Sequence, residues 1–253
     1  MIADRLGLLH EVGDAVAAAM RTVTDWGPSG RRVGQYALDV TADEAALAVL
    51  RRARVGVLSE ESGFDPGNTG EIVVIDPIDG STNASRGIPW FATSLCLVDD
   101  EGPAAAVVVN QANGARYSAV RGGGAWCGER RLQPSGCTTL AEAIVVVSAV
   151  PPRDVGWAQF RALGACALDL CALADGAVDA YVDFGDEQHG TWDYLGGWLI
   201  CREVGIDVVD AFDRPMVHME HDARRTPVAA ASPELAASLL AARRGAGRRS
   251  PRL

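Results

Sequence analysis

The residues best suited to chemistry lie in one octapeptide, Asp76-Pro77-Ile78-Asp79-Gly80-Ser81-Thr82-Asn83. It follows an apolar run at 72–75, which predicts a strand ending at Asp76. Pro77 cannot donate to a sheet ladder, so the strand is expected to stop there. Gly80 permits a sharp turn, and Ser81, Thr82 and Asn83 suit a helix start. Two carboxylates on a tight turn can face one cation, and free backbone N–H groups just after them suit an anion. A hard cation held by oxygen ligands beside an anion site is what hydrolysis of a phosphate ester requires. The plainer alternative is an Asx-type turn in which Asp76 and Asp79 only cap backbone groups.

Two further acidic segments could join this one. Ser59-Glu60-Glu61-Ser62-Gly63 follows the apolar run at 55–58, so it also sits at a strand end. If the two strands are neighbours, Glu60 and Asp76 lie side by side, where without a cation each raises the other's pKa. Trp192-Asp193-Tyr194-Leu195-Gly196-Gly197 opens an apolar helix. Taken singly, an acidic pair is a solvated loop and an Asp in a first turn is a helix-dipole partner. His189 reads as a solvated loop residue. The Gly-rich run at 122–124 lacks the strand–helix context of a dinucleotide fingerprint and predicts a hairpin.

These segments need elements to hold them. Helical spacing predicts an opening helix over 2–22 and a second from near Thr41, where Thr41 and Glu44 have capping-box spacing. Strands are expected at 55–59, 71–75, 93–98, 104–110, 115–120, 144–149 and 177–183. Further helices are expected over 160–175, 192–204 and 233–244, the last opened by Ser232 with Pro233 at its first position. The run of strands in the middle argues against strict βαβ alternation.

The 253 residues, 48% apolar and 22% charged, can bury a substantial core. The net charge of −10 disfavours nucleic acid and anionic membrane as partners. Basic residues concentrate only at the C-terminus, as Arg243, Arg244, Arg248, Arg249 and Arg252, which reads as a flexible tail. The six cysteines form no CxxC pair, and several lie in apolar runs, as in a reduced cytoplasmic protein. No signal peptide and no apolar run of membrane-spanning length is evident.

Glu-Glu-Ser, then Asp-Pro-Ile-Asp-Gly-Ser-Thr-Asn, then Trp-Asp before a Gly-rich helix resembles the inositol monophosphatase family. Arg121–Gly128 resembles its Gly-rich hairpin, Arg161–Ala167 its segment entering the later helix, and Gly176–Tyr181 the strand that follows. The likeness runs in order over about residues 2–240.

The resemblance implies a layered αβαβα sandwich of the inositol monophosphatase and fructose-1,6-bisphosphatase type. Its expected divisions are an N-terminal α+β part (1–140), a C-terminal α/β part (141–242) and the Arg-rich tail (243–253). It implies Mg²⁺, as two or three ions, held by Glu60, Asp76, Asp79, Asp193 and the backbone carbonyl of Ile78. It implies catalytic roles for Glu60, for Ser81, where the family usually has Thr, and for an upstream acid that activates water. Residue type assigns that acid to Asp43, whereas counting from the Val40-Thr41 pair assigns it to Glu44; Asp43 is the expected one. Substrate contacts are expected from Gly80, Ser81, Thr82, Gly164, Ala165 and Asp183. Where the family often has a loop Lys, this chain has Arg31, Arg32 and Gln35. The implied activity is metal-assisted hydrolysis of a small phosphorylated metabolite by an activated water, inositol monophosphate first. Fructose 1,6-bisphosphate, histidinol phosphate and adenosine 3′,5′-bisphosphate are the alternatives within that chemistry. Outside it stand a binding partner of the transcription machinery and a structural cation-binding domain. The family commonly forms homodimers.

Overall fold

The structure, a computed structural model, describes residues 2–30 and 35–246. Arg31, Arg32, Arg248, Arg249 and Arg252 therefore lie outside the described residues.

The chain forms α1 (Ile2–Met20), α2 (Ala37–Ala53), β1 (Gly56–Ser59), β2 (Gly63–Asp65), β3 (Ile72–Asp79) and the short α3 (Ser81–Ser85). An antiparallel series follows: β4 (Ala92–Asp99), β5 (Gly102–Asn110), β6 (Arg116–Val120), β7 (Gly124–Cys127) and β8 (Arg130–Arg131). After a 3₁₀ turn come β9 (Ile144–Ser148), β10 (Gln159–Arg161), α4 (Cys166–Ala174), β11 (Ala180–Asp183) and α5 (Thr191–Arg202). The last elements are β12 (Val208–Asp210), β13 (Pro227–Ala230) and α6 (Pro233–Gly245). One sheet has the order β2-β1-β3-β4-β5-β6-β7-β8, and the second β10-β9-β11-β13-β12.

Strand alternation sorts the apolar side chains into three cores. Val73, Ile75, Leu95 and Leu97 face Leu9, Val16, Leu38 and Leu50 of α1 and α2. Their neighbours Val74 and Cys96 face the other way, toward Leu168 of α4 and Leu195 of α5. In the second sheet Val146 and Tyr181 join that central core. Val145, Val147 and Val182 pack instead with Leu235 and Leu239 of α6. The result is a five-layer αβαβα sandwich with α4 and α5 held between the sheets.

The tight middle layer explains the two glycines of α5. A Cβ on Gly196 would lie 2.9 Å from Ser94 Oγ on the first sheet, and one on Gly197 would lie 2.7 Å from Leu170 Cβ of α4. Each face of α5 thus approaches a neighbour more closely than any side chain permits.

Several boundaries differ from expectation. α2 starts at Ala37, not near Thr41, because Asp39 Oδ2 accepts the Tyr36 N–H at 2.8 Å and caps the helix there. Thr41 lies inside the helix with its hydroxyl on the Ala37 carbonyl. The expected helix at 160–175 begins only at Cys166; residues 159–161 form an exposed edge strand, and Gly164, at φ +87°, separates the two. The last helix is capped by Ser232, whose Oγ accepts the Leu235 N–H.

The tail expected from 243 is corrected at its first two residues. Arg243 is 1% exposed, and it donates to the carbonyls of Asp183 and Gly185 at 2.7 and 2.9 Å. Arg244 donates to the Ala211 carbonyl. Backbone carbonyls left over at a strand end draw the Arg243 guanidinium inward. No helix among the described residues is long and apolar enough to cross a membrane.

Candidate metal and active site

Three chain segments bring three carboxylates together. β1 and β3 are parallel, with Ser59 opposite Ile75, and Glu60 N–H donates to the Ile75 carbonyl. That register sets Glu60 beside Asp76. Ser94 is the antiparallel partner of Asp76, and its hydroxyl donates to the Trp192 carbonyl at 3.1 Å. This bond, with the close approach at Gly196, fixes the N-terminus of α5 and the next residue, Asp193. Glu60, Asp76 and Asp193 then each present one ligand oxygen, all within 4.8 Å of one another.

β3 does not stop at Asp76. It runs through Pro77 to Asp79, which pairs with Ala92 across a register shift. Pro77 sits in that bulge, where its missing N–H costs no ladder bond, and Thr93 Oγ1 donates to its carbonyl. Asp76 Oδ1 takes the Ile78 N–H at 2.9 Å, so the Asx bond of the plainer reading forms as well as the cluster. Asp79 lies outside the group of three. Its Oδ2 accepts the Ala167 N–H at 2.6 Å, capping the first turn of α4 from a distant segment.

Gly80, at φ +85°, lets the chain turn into α3. A Cβ there would lie 3.1 Å from Ala165 Cβ and from the carbonyls of Gly164 and Trp90. Asn83 Nδ2 ties the same segments together by donating to the carbonyls of Trp90 and Leu163. Gly80, Gly164 and Ala165 are therefore neighbours. Ser81 and Thr82 open α3, and Thr82 Oγ1 lies 3.2 Å from the Tyr36 hydroxyl.

A cavity of about 270 Å³ lies over these residues, walled by Glu60, Asp79, Asp193, Gly164, Ala165 and His189, among others. Asp183, expected to touch substrate, is fully buried. One oxygen takes the Gly185 N–H, and the other lies 3.8 Å from His189 Nε2. His189 forms the cavity wall in its place. Its ring is only 13% exposed, with Nδ1 3.6 Å from Asp193, so it is not the solvated loop residue expected. Burial alone would lower its pKa, but Asp193 and Asp183 outweigh burial and hold it up at about 9.

The candidate upstream acids sit in different surroundings. Asp43 is buried against Ser59, whose hydroxyl donates to it at 2.6 Å, and Glu44 is exposed. Asp39, buried one helical turn earlier, acts electrostatically on both Glu60 and Asp76. The spacing Tyr36–Asp39 carries no Ser or Thr cap to betray the helix start, and this hid Asp39 in the sequence. Gln35 donates to Glu61, outside the cluster.

Burial pushes Glu60 up to about 8, with Asp193 adding to the shift. Burial and then Glu60 raise Asp76 well above the carboxylate range; burial and then Asp193 do the same for Asp79. Such a set is costly with protein atoms alone. A hard divalent cation fits it, since every donor is an oxygen and the accumulated charge is negative.

The inositol monophosphatase family model matches residues 33–248. A protein of Archaeoglobus fulgidus called fructose-1,6-bisphosphatase/inositol-1-monophosphatase is 30% identical over 94% of this chain and 97% of its own. Nus factor SuhB of Pasteurella multocida is 30% identical over 79% and 81%. Inositol-1-monophosphatase of Mesorhizobium japonicum is 33% identical over 68% and 70%. The structure of the extragenic suppressor protein suhB of Bartonella henselae shares the fold at TM-score 0.80 and 24% identity, over 95% of this chain and 99% of that one.

Proposed function

This chain belongs to the inositol monophosphatase family, and on that premise we propose that its acidic centre hydrolyses a small phosphomonoester, inositol monophosphate first, with Mg²⁺. The observation that carries this reading is the convergence of Glu60, Asp76 and Asp193 within 4.8 Å. Those three would hold the metal, with Asp79 and the Ile78 carbonyl completing its shell. Bound there, Mg²⁺ supplies Lewis-acid charge and a water of lowered pKa.

The chain's own groups do the rest. Glu60 and the Ser81 hydroxyl orient the attacking water, and Asp39 takes its proton in the role that residue type had suggested for Asp43. The N–H groups of Gly80, Ser81 and Thr82 receive phosphoryl oxygens. Gly164 and Ala165 leave room for the alcohol beside them. His189 stands at the alcohol side, under Asp193 and over Asp183. With these acids serving as ligands, water rather than a side chain would attack phosphorus.

The relatives called Nus factor SuhB support a second reading, a binding partner of the transcription machinery. A pure binding role gives no reason to gather Glu60, Asp76 and Asp193 within 4.8 Å of one another. Phosphate release from a panel of phosphomonoesters, with and without Mg²⁺, tests the choice. Magnesium-dependent turnover that falls at least about a thousandfold in Asp76→Asn is expected. Turnover that survives the substitution, or none from any ester, would overturn the phosphatase reading.

A further inference from the structure

Asp193 is held differently from the other two members of the acidic group. The parallel register of β1 and β3 fixes Glu60 and Asp76, whereas Asp193 stands in the first turn of α5. That turn has weak local support, because its N-cap is Gly190, which has no side-chain oxygen to receive the free N–H groups. Asp193 Oδ2 accepts the Gly190 N–H at 2.6 Å, so the direction of its carboxylate follows the backbone of the turn. Helix ends fray, and a frayed turn here would carry Asp193 away from Glu60 and Asp76.

Besides the bond from Ser94 to the Trp192 carbonyl, the segment between β12 and β13 grips this turn, with His218 at the centre of the grip. His218 Nε2 lies 2.8 Å from Thr191 Oγ1 and 3.1 Å from the Tyr194 hydroxyl. Thr191 and Tyr194 are fully buried and stand on either side of Asp193 in the chain. Tyr194 donates its one hydroxyl proton to the Met216 carbonyl at 2.7 Å. It can therefore meet His218 only as an acceptor, which assigns the ring proton to Nε2. Burial, and then Arg225, hold the His218 pKa below its ordinary value, so the ring is neutral and Nδ1 is bare. The Thr191 hydroxyl also reaches the His218 carbonyl, at 3.2 Å. One imidazole N–H thus ties together two buried hydroxyls of the turn that carries Asp193. None of Thr191, Tyr194, Met216 and His218 lines the catalytic cavity.

We propose that His218 is a positioning residue for the metal: its Nε2–H, shared by Thr191 and Tyr194, holds the first turn of α5 so that Asp193 already faces Glu60 and Asp76 before an ion arrives. A preformed ligand set binds its cation more tightly than one that must be assembled, because the ordering is complete beforehand. The proposal rests on the reading of this centre as a Mg²⁺ site and adds to it a residue that touches neither metal nor substrate.

The test measures the Mg²⁺ dissociation constant of the full chain by titration calorimetry, well below the Tm of every variant, with KM for the ester alongside. His218→Leu removes the donor and should weaken Mg²⁺ binding about 10-fold. His218→Gln places an amide N–H where Nε2 stood and should recover most of the affinity. His218→Asn places its amide nearer the Nδ1 position and should not. Tyr194→Phe removes one acceptor, keeps the ring and should weaken Mg²⁺ by a smaller factor. KM should stay within about twofold of wild type throughout, because His218 lies outside the cavity wall. Mg²⁺ affinity unchanged in His218→Leu and Tyr194→Phe, whatever their Tm, would show a merely structural role and overturn the proposal. Equal weakening in all three His218 variants would trace the loss to packing and overturn it too. Either result leaves the metal reading intact, whereas a wild type that binds no Mg²⁺ would remove both.

Discussion

Replacing Glu60 by Gln removes one of three carboxylates whose ligand atoms lie within 4.8 Å. Without metal this should stabilise the protein. The Glu60 carboxyl is raised from 4.5 to about 8, by burial first and then by Asp193. A folded-state pKa above the unfolded one means that the folded protein binds more protons. The corresponding stability is complete below about pH 4.5 and is lost as pH rises through about 8. The full shift corresponds to about 4–5 kcal/mol at 1.36 kcal/mol per unit. Burial is the larger cause and the glutamine would remain buried, while Asp193, Glu61 and Asp39 supply the repulsion that the substitution removes, so only about half, near 2 kcal/mol, is assigned to the substitution. For a chain of this size that is a rise of about 4–8 °C in Tm. The assay is thermal unfolding in a chelator at about pH 8 and about pH 5. Glu60→Gln should melt above wild type at the higher pH, and the gap should close at the lower. Added Mg²⁺ should raise Tm more in wild type than in the variant. A variant that melts at or below wild type in chelator near pH 8 would refute the reasoning, because the protein alone would then be satisfying the carboxylate.

Two other substitutions probe the frame. Asp39→Asn should cut kcat by about 100-fold with little change in Tm, whereas Asp43→Asn should cost about 1–2 kcal/mol of stability through Ser59 and largely spare kcat. Steady-state kinetics and urea unfolding of both variants would separate the roles, and the opposite pattern would return the water-activating position to Asp43. Gly196→Ala should cost about 1–3 kcal/mol, because its Cβ would meet Ser94 Oγ at 2.9 Å. Unfolding midpoints measure this, and an unchanged midpoint would mean that α5 can move off the sheet freely.

Much of this centre is legible in local sequence. The acid directly after an apolar run marks the end of β1 at Ser59 but not of β3, which runs on to Asp79, and Gly80 marks a turn by its missing Cβ. The continuous apolar runs at 73–75, 95–97 and 145–147 mark strands buried on both faces. Short-range signals were weaker elsewhere. β8 has two residues and β10 three, too few to show a period, and a non-polar cap at Tyr36 concealed the start of α2. Arg243 read as tail because a helix end rich in Arg looks solvated until the carbonyls of Asp183 and Gly185 come beneath it.

By itself, then, the sequence determined which residues are acidic, which runs are apolar enough to form buried strands and where the chain must bend, since these follow from side-chain chemistry and backbone sterics within a few positions. Only the tertiary structure decided which of those acids meet. Glu60 reaches Asp76 through the parallel register of β1 and β3, and Asp193 joins them because Gly196 lets α5 lie on Ser94. The places of Asp39 near the cluster and of His189 beside Asp183 belong to the same class. Each depends on contacts between segments far apart in the chain, and no local pattern encodes the register that brings them together.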